Sequence, residues 1–229
     1  MRSRPLAVVL LSGGLDSCVT AAIAAQSFRL ALLHVNYGQR TERRELEAFR
    51  QIAAFFRPEH TLEVDLPHLG RIGGSSLTDP TRPVEDYHQV REGIPSTYVP
   101  FRNGLLLAVA TGWAEVLGAE AVFIGAVEPD APGYPDCRPA FFEAFQKAVD
   151  LGTRPETHIR VVTPVIGCTK VEIVRKGLEL GAPLHLTWSC YRNEDVACGV
   201  CDSCYRRLEA FRLAGVPDPI PYARIPEGR

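Results

Sequence analysis

Near the amino terminus, a glycine-containing turn brings several side-chain oxygens together. A short apolar run over residues 6–11 ends in Ser12-Gly13-Gly14-Leu15-Asp16-Ser17, and an alanine-rich stretch follows at once. We predict a strand, a tight loop and a helix. Glycine lacks a Cβ, so the backbone can bend sharply there and approach a ligand closely. Because the first N–H groups of a helix are unpaired and carry partial positive charge, an anion would fit at this point. Two glycines alone would also suit an ordinary strand–helix connection.

The order of residues in this turn narrows the kind of anion site. The turn lacks the Gly-Lys-Ser/Thr ending of the common phosphate-binding loop and the spacing of a dinucleotide fingerprint. It resembles the signature loop of the ATP pyrophosphatases. That resemblance implies that the whole loop, Leu15 included, holds the triphosphate of ATP, with Asp16 near Mg²⁺. It also implies attack at the α-phosphate and transfer of AMP to an oxygen nucleophile.

A cluster of four cysteines predicts a metal site near the carboxyl terminus. The chain has 7 cysteines, an odd number, and the cluster consists of Cys190, Cys198, Cys201 and Cys204. This clustering argues against a disulfide framework. Four thiolates around one Zn²⁺ would form a closed structural site, whose negative charge nearby arginines could offset. An iron–sulfur cluster is the main alternative, and free buried thiols are a third.

Further candidate residues follow the predicted strands. His34 and Tyr37, after the second strand, could flank an adenine ring, although a packed histidine suits His34 as well. Arg102 and Asn103 begin an apolar helix, where they could contact a phosphate or a substrate; Asn103 could instead cap the helix. Lys170 lies in the first turn of a later helix, where a cation opposes the helix dipole. That placement makes sense beside a bound anion, and a plain surface lysine is the alternative.

One loop combines acids, an arginine and a tyrosine at the end of a predicted strand. Residues 126–138 contain Glu128, Asp136 and Arg138, together with three prolines that reduce the freedom of the loop. We interpret this loop as part of a substrate pocket, with a solvated loop as the alternative. Residues 70–96, rich in Gly, Pro and Ser, are either a lid over the active site or disordered.

The elements that must position these residues alternate between strands and helices. This order predicts an α/β fold with a doubly wound, mostly parallel sheet, covered by helices on both faces. Ligands bind outside the carboxyl ends of the strands in such sheets. We divide the chain into an ATP-binding domain, residues 1–183, and a zinc-binding segment with a proline-rich tail, residues 184–229, packed on the same domain. We expect residues 216–222 to run extended over the surface or over a partner subunit.

Length and charge limit the function classes. A chain of 229 residues suits one α/β domain with a small appendage, and 46% hydrophobic residues is ordinary for a globular protein. The net charge of −2 gives no general attraction for nucleic acid. The early apolar run is too short to span a bilayer. We therefore expect a soluble cytoplasmic protein, a homodimer that acts on small molecules without contacting a membrane or binding nucleic acid directly.

Seven motifs occur in one order that resembles the QueC family, the 7-cyano-7-deazaguanine synthases. Besides the first loop, they are Tyr37-Gly-Gln-Arg40, Pro100-Phe-Arg-Asn-Gly104, Gly125-Ala-Val-Glu128, Gly133-Tyr-Pro-Asp-Cys-Arg138, Thr187-Trp-Ser-Cys190-Tyr and Cys198-Gly-x-Cys-Asp-Ser-Cys204. The chain departs from the usual pattern at Thr41, often histidine, and at Ala131-Pro132, where serine is commoner. The resemblance implies conversion of a 7-carboxy-7-deazaguanine carboxylate to a nitrile with ammonia and two ATP.

The resemblance also implies roles for the candidate residues. ATP phosphates are assigned to the first loop and to Lys170, with Asp16 and Lys170 catalytic. The deazaguanine pocket is assigned to Arg102, Asn103, Glu128, Asp136 and Arg138. Arg138 could pair with the substrate carboxylate, and Asp136 could accept from the guanine-like edge. We expect free ammonia as the nitrogen donor. The alternatives are an adenylating enzyme of the same superfamily that acts on a tRNA base, and a zinc-ribbon module that binds nucleic acid.

Overall fold

The centre of the computed structural model, which describes residues 4–89, 93–128 and 133–226, is an all-parallel sheet of five strands in the order β3-β2-β1-β4-β5. The strands are β1 Leu6–Leu10, β2 Arg29–Asn36, β3 His60–Asp65, β4 Ala121–Ile124 and β5 Arg160–Val162. The helices are α1 Leu15–Ala25, α2 Glu42–Phe56, α3 His68–Ile72, α4 Arg102–Leu117, α5 Pro139–Gly152, α6 Lys170–Glu179 and α7 Asp202–Ala214.

Helices cover both faces of the sheet, which confirms the doubly wound prediction. Every residue of β1 is buried, as a strand covered on both sides must be. Ala7 and Val9 belong to the apolar cluster of α1 and α2, whereas Val8 and Leu10 belong to that of α4 and α5. Because successive side chains in a strand point to opposite faces, the short run at β1 supplies both halves of the core.

The side of the sheet on which new strands are added switches at β1. After β1 the sheet grows through β2 and β3 on one side, and β4 and β5 then add on the other side. A parallel sheet opens a crevice at such a switch point, beyond the carboxyl ends of the strands. Gly125 follows β4 there, and a Cβ on it would lie 2.9 Å from the backbone N of Ser17. The glycine therefore lets the end of β4 approach the start of α1.

Helix α7 and the start of α6 refine the sequence interpretation. Residues 164–169 form turns, and α6 begins at Lys170 because the Thr169 side chain accepts from the Glu172 backbone N–H while Glu172 bonds back to Thr169. We did not predict α7. Its buried side chains at Cys204, Arg207 and Phe211 have the i, i+3, i+7 spacing that could have revealed it.

Residues 184–226, here named the cysteine segment, pack against the sheet domain. The backbone N–H of Trp188 donates to the carbonyl of Gly13 at 2.9 Å. The tail returns along its own chain, where Tyr222 forms a β-bridge with Ala197 and Ile220 is buried. The boundary at residue 183 stays a prediction. Within the described ranges, none of the helices has the length and apolar character needed to span a membrane.

Candidate active site

A cavity of about 620 Å³ opens at the carboxyl ends of β1 and β4, at the switch point of the sheet. Its lining includes the first loop and Tyr37, Arg102, Tyr134 and Tyr191, together with parts of residues 77–97 and of the cysteine segment. The predicted lid therefore contributes to the wall, although residues 90–92 lie outside the described part. The lining includes Ser12, Gly14, Leu15, Asp16, Ser17, Tyr37, Glu45, Glu85, Arg102, Asn103, Tyr134, Lys170, Tyr191 and Asp202.

The turn over residues 12–17, here named the phosphate loop, is held by its own hydrogen bonds. The Gly14 N–H donates to Ser12 Oγ at 3.2 Å, and Ser17 Oγ donates to the Gly14 carbonyl at 3.0 Å. Gly13 has φ +90°, and a Cβ there would lie 2.5 Å from the Glu45 carbonyl oxygen. Glycine is therefore required at this position both by backbone conformation and by the close approach of α2. The loop leads directly into α1, whose first N–H groups face this end of the cavity.

Lys170 and Asp16 meet at the phosphate loop although they are far apart in sequence. Lys170 Nζ lies 2.8 Å from each carboxylate oxygen of Asp16. The two side chains are 17% and 28% exposed, so the pair is partly shielded from solvent. A cation, a carboxylate and two serine hydroxyls at a helix N-terminus form a site suited to phosphate oxygens. Carboxylate and hydroxyl oxygens are also the ligands that Mg²⁺ prefers.

A second group of cavity-lining residues, here named the ring pocket, consists of Tyr37, Arg102, Tyr134 and Tyr191. The guanidinium of Arg102 donates to Tyr37 Oη at 2.9 Å, and Tyr134 Oη bonds Thr97 Oγ1 at 2.6 Å. Burial raises the pKa of all three tyrosine hydroxyls, so they stay neutral at physiological pH. A fixed cation among neutral aromatic rings suits a flat heterocycle that carries an anionic group.

The four clustered cysteines have the geometry of a tetrahedral metal site. Their sulfur atoms all lie within 4.8 Å of one another, and all four residues are buried. Cys198 Sγ and Cys204 Sγ are 3.9 Å apart, close to the roughly 3.8 Å that tetrahedral zinc with Zn–S bonds of about 2.3 Å requires. Cys190 Sγ accepts from the backbone N–H of Asn193 and of Cys198, each at 3.3 Å, which offsets thiolate charge. The donor set fits Zn²⁺.

A family model described as queuosine biosynthesis protein QueC matches residues 6–215. The chain belongs to the QueC family. Curated relatives named 7-cyano-7-deazaguanine synthase include one from Chlorobium chlorochromatii (strain CaD3), 58% identical over 96% of this chain and 97% of its own length. Another, from Chloroherpeton thalassium (strain ATCC 35110 / GB-78), is 57% identical over 94% of this chain and 96% of its own. The solved NMN synthetase structure from Francisella tularensis gives a TM-score of 0.48 at 13% identity over 93% of this chain and 78% of that one.

His34 of this QueC family member lies beneath the phosphate loop and outside the cavity lining. Its ring is 1% exposed and packs on Phe49 with ring centroids 5.0 Å apart. Nδ1 lies 3.1 Å from the Leu11 carbonyl oxygen, and Nε2 lies 3.0 Å from Asn36 Oδ1. Burial lowers the pKa of His34, although these hydrogen bonds oppose the shift. The geometry matches the packed interpretation that the sequence left open.

Asn103 and Asp136 are joined to each other at the start of α4. Asp136 is 3% exposed, and its Oδ2 accepts from the Asn103 backbone N–H at 2.8 Å. The Asn103 side chain donates to the Asp136 carbonyl at 3.0 Å. Asp136 thus satisfies an otherwise unpaired N–H group in the first turn of the helix, and Asn103 is not the cap. Asn103 also lines the cavity, whereas Asp136 does not.

The remaining predicted pocket residues lie outside the cavity lining. Glu128 and Arg138 are exposed and do not line the cavity. The loop between them includes Ala131-Pro132, which lies outside the described residues. Sequence reasoning named Tyr134 only as the aromatic neighbour of Asp136 and did not select Tyr191. Both stand inside motifs that carried the family resemblance, Gly133-Tyr-Pro-Asp and Trp-Ser-Cys190-Tyr, so the signal was present.

Proposed function

We propose that this protein converts 7-carboxy-7-deazaguanine and ammonia to 7-cyano-7-deazaguanine, releasing AMP and pyrophosphate. The relatives carry the name of that activity and match almost the whole chain. The observation that carries the proposal is the shared cavity, which is lined by both the phosphate loop and the ring pocket. An enzyme that adenylates a heterocyclic acid needs these two sites side by side.

The chemistry requires two activations of the same carbon. A carboxylate resists attack by ammonia because oxide is a poor leaving group. Transfer of AMP to the carboxylate gives an acyl-adenylate, and ammonia displaces AMP to form the amide. A second adenylation, on the amide oxygen, allows AMP to leave again as the nitrile forms. Both rounds use the same alignment of ATP and substrate, so one cavity suffices.

The phosphate end would act through the predicted loop residues. Backbone N–H groups of residues 13–17, the hydroxyls of Ser12 and Ser17, and Lys170 would bind the triphosphate. Lys170 leaves Asp16 for the phosphates as negative charge grows on the departing pyrophosphate. When bound, Mg²⁺ supplies charge neutralisation at the phosphates, and Asp16 is the loop carboxylate that would hold it.

In the ring pocket, we propose that Arg102 pairs with the substrate carboxylate while the tyrosines enclose the deazaguanine ring. Arg102 lines the cavity, unlike the exposed Arg138, and this favours Arg102 for the role first considered for Arg138. Asn103 and Asp136 would contribute by fixing the first turn of α4 and hence Arg102. Direct contact of Glu128 or Arg138 with the substrate stays a prediction, as does adenine contact by Tyr37.

The cysteine cluster would hold one structural Zn²⁺ per chain. We further propose a cytoplasmic homodimer. Elemental analysis tests the first proposal, since one zinc per chain in colourless protein supports it and iron in brown protein contradicts it. Light scattering on purified protein tests the dimer.

The decisive experiment measures pyrophosphate release with ATP, ¹⁵N-ammonium and different acceptors. We expect release that depends on 7-carboxy-7-deazaguanine and a nitrile product that contains ¹⁵N. Glutamine in place of ammonium should support no product. Release that depends on tRNA would instead favour the tRNA-base-modifying alternative, and tight RNA binding without turnover would favour the nucleic-acid-binding module.

A further inference from the structure

The proposed reaction removes every proton from one nitrogen atom, and this demands a base in the cavity. Ammonia brings three N–H protons, and the nitrile nitrogen has none. One proton leaves when the amide forms, one when the amide oxygen is adenylated, and one when AMP is expelled. The acceptor must lie between the phosphate loop and the ring pocket, where the nitrogen stays throughout.

Four carboxylates line the described part of the cavity: Asp16, Glu45, Glu85 and Asp202. Asp16 is bonded to Lys170 through both oxygens, and Asp202 is bonded to Arg206 at 2.8 Å. A carboxylate oxygen that already accepts from a cation has less room to accept from an N–H group of the substrate. Glu85 lies between α3 and α4, outside any helix or strand, and its carboxylate accepts from Ser96 Oγ at 3.4 Å.

Glu45 has a different environment. It lies in the first turn of α2, and its carboxylate accepts from Thr41 Oγ1 at 2.7 Å and from Gln39 Nε2 at 3.2 Å. Both donors are neutral, and together they fix the carboxylate while each oxygen keeps a free lone pair. Gln39 is fixed in turn, because its Oε1 accepts from the Tyr37 N–H at 2.8 Å. The carboxylate is therefore preorganised on a helix.

The position of Glu45 matches the required place in the cavity. A Cβ on Gly13 would lie 2.5 Å from the Glu45 carbonyl oxygen, so α2 packs against the phosphate loop at Glu45, and Glu45 lines the same cavity as Arg102 and Tyr37. Burial raises the pKa of the Glu45 carboxyl to about 7, against the lowering effect of Thr41, Gln39 and Arg102, while Glu42 on the same helix adds to the rise. A general base works best with a pKa near the operating pH.

We propose that Glu45 is the catalytic residue that accepts protons from the attacking nitrogen. This inference rests on the proposed function. The nitrogen lone pair attacks the acyl carbon of the adenylate, and a C–N bond forms as the carbonyl π pair moves to oxygen. Glu45 Oε takes one N–H proton. The π bond then re-forms as the C–O bond to AMP breaks, which gives amide, AMP and protonated Glu45. Glu45 then releases this proton to solvent, and the proton lost on adenylation of the amide oxygen also passes to solvent. In the nitrile step, the deprotonated Glu45 takes the last N–H proton as the second AMP leaves.

The test compares two half-reactions in E45Q. Acid-dependent exchange of labelled pyrophosphate into ATP reports adenylation, and amide formation from ammonium reports attack by nitrogen. Because a positioned base contributes about 10²–10⁴-fold, the ratio of amide formation to exchange should fall at least about 100-fold. The exposed neighbour Glu47 provides the matched control E47Q, and E85Q tests the competing carboxylate. Neither should change the ratio by more than about twofold.

A second variant separates proton transfer from folding. T41V removes the hydroxyl bonded to Glu45 but keeps the carboxylate, so the pKa of Glu45 should rise. With free ammonia held constant, the rate of amide formation should increase through about pH 7 in wild type and at higher pH in T41V. An unchanged ratio in E45Q, or a fall in E85Q instead, would overturn the role of Glu45. Absence of acid-dependent exchange in wild type would overturn the proposed function itself.

Discussion

The phosphate loop and the ring pocket, which line the same cavity, are built in different ways. Most hydrogen bonds of the phosphate loop are local and join Ser12, Gly14 and Ser17, and the Trp188 N–H adds one distant bond to the Gly13 carbonyl. The ring pocket draws its residues from four distant segments, and each arrives through the packing of a different element. A local sequence motif therefore reveals the phosphate loop, whereas only the folded structure reveals the ring pocket.

The difference has a consequence for stability. The ring pocket depends on the cysteine segment, which supplies Tyr191 and anchors part of the predicted lid. Tyr87 donates its backbone N–H to the Val200 carbonyl at 3.0 Å, and Asp86 pairs with Arg192 at 2.7 Å. Damage to the cysteine segment should therefore weaken substrate binding. Four substitutions test this comparison.

Replacing Cys201 with serine should have the largest effect. Zinc binding contributes about 10 kcal/mol or more to the folding of small zinc-binding peptides, and a lost thiolate weakens a closed site. We expect loss of zinc, a large fall in thermal stability and loss of deazaguanine binding by calorimetry. Cys168 lies outside the cluster and is partly exposed, so C168S is the control and should retain both zinc and binding. Stable, zinc-free C201S that binds substrate normally would contradict the dependence.

Asp218→Asn tests the buried ion pair that holds the tail on α7. Arg207 and Asp218 are 1% and 3% exposed, with Nε and Oδ2 2.8 Å apart. Because the substitution leaves a buried guanidinium without its counter-charge, we expect a loss of about 3–5 kcal/mol in the free energy of unfolding by urea titration. The matched control E179Q breaks an exposed pair with Lys176 and should cost at most about 1 kcal/mol. Equal losses would show that the tail pair is not structurally important.

Lys170→Ala tests a distant contribution to the phosphate loop. Loss of a cation that stabilises the departing pyrophosphate should lower acid-dependent pyrophosphate release by about 10²–10³-fold. Calorimetry should show normal binding of the deazaguanine acid, because Lys170 contacts Asp16 in the phosphate loop and is not part of the ring pocket. K176A, on the same helix, is the control and should keep full activity. Weakened binding of the deazaguanine acid in K170A, with normal use of ATP, would contradict our assignment of ATP to the phosphate loop and of the acid to the ring pocket.

Gly13→Ala should give the smallest of the four effects. Left-handed backbone costs a residue with a Cβ about 1–2 kcal/mol, and contact with the Glu45 carbonyl adds to this loss. We expect unfolding free energy to fall by about 2–3 kcal/mol and the KM for ATP to rise. A Cβ on Gly112, in α4, would meet none of the described neighbouring residues within 4 Å, so G112A should stabilise by about 1 kcal/mol. A G13A variant with the same free energy of unfolding as wild type would contradict the close packing of α2 on the phosphate loop.

The sequence predicted much of the fold because β1, β2 and β4 are short, largely apolar and buried. Such runs, alternating with helical segments, leave few arrangements other than a parallel sheet covered on both faces. Helix α7 was missed although Ala210 and Phe211 mark its buried side. The clustered cysteines were selected correctly as neighbours, since close spacing in sequence brings their sulfur atoms within 4.8 Å.

By itself, the sequence determined the phosphate loop and the cysteine cluster, because bonding within a few residues fixes both. Tertiary structure decided which polar side chains of the connecting loops reach the cavity. Asp136 and Arg138 are two residues apart, yet one is buried as a partner of α4 and the other is exposed. The local sequence gives Glu45 only a place in the first turn of α2, and the packing of α2 against Gly13 brings it into the cavity lining. The direction of such side chains depends on contacts with distant elements, and no local pattern encodes them.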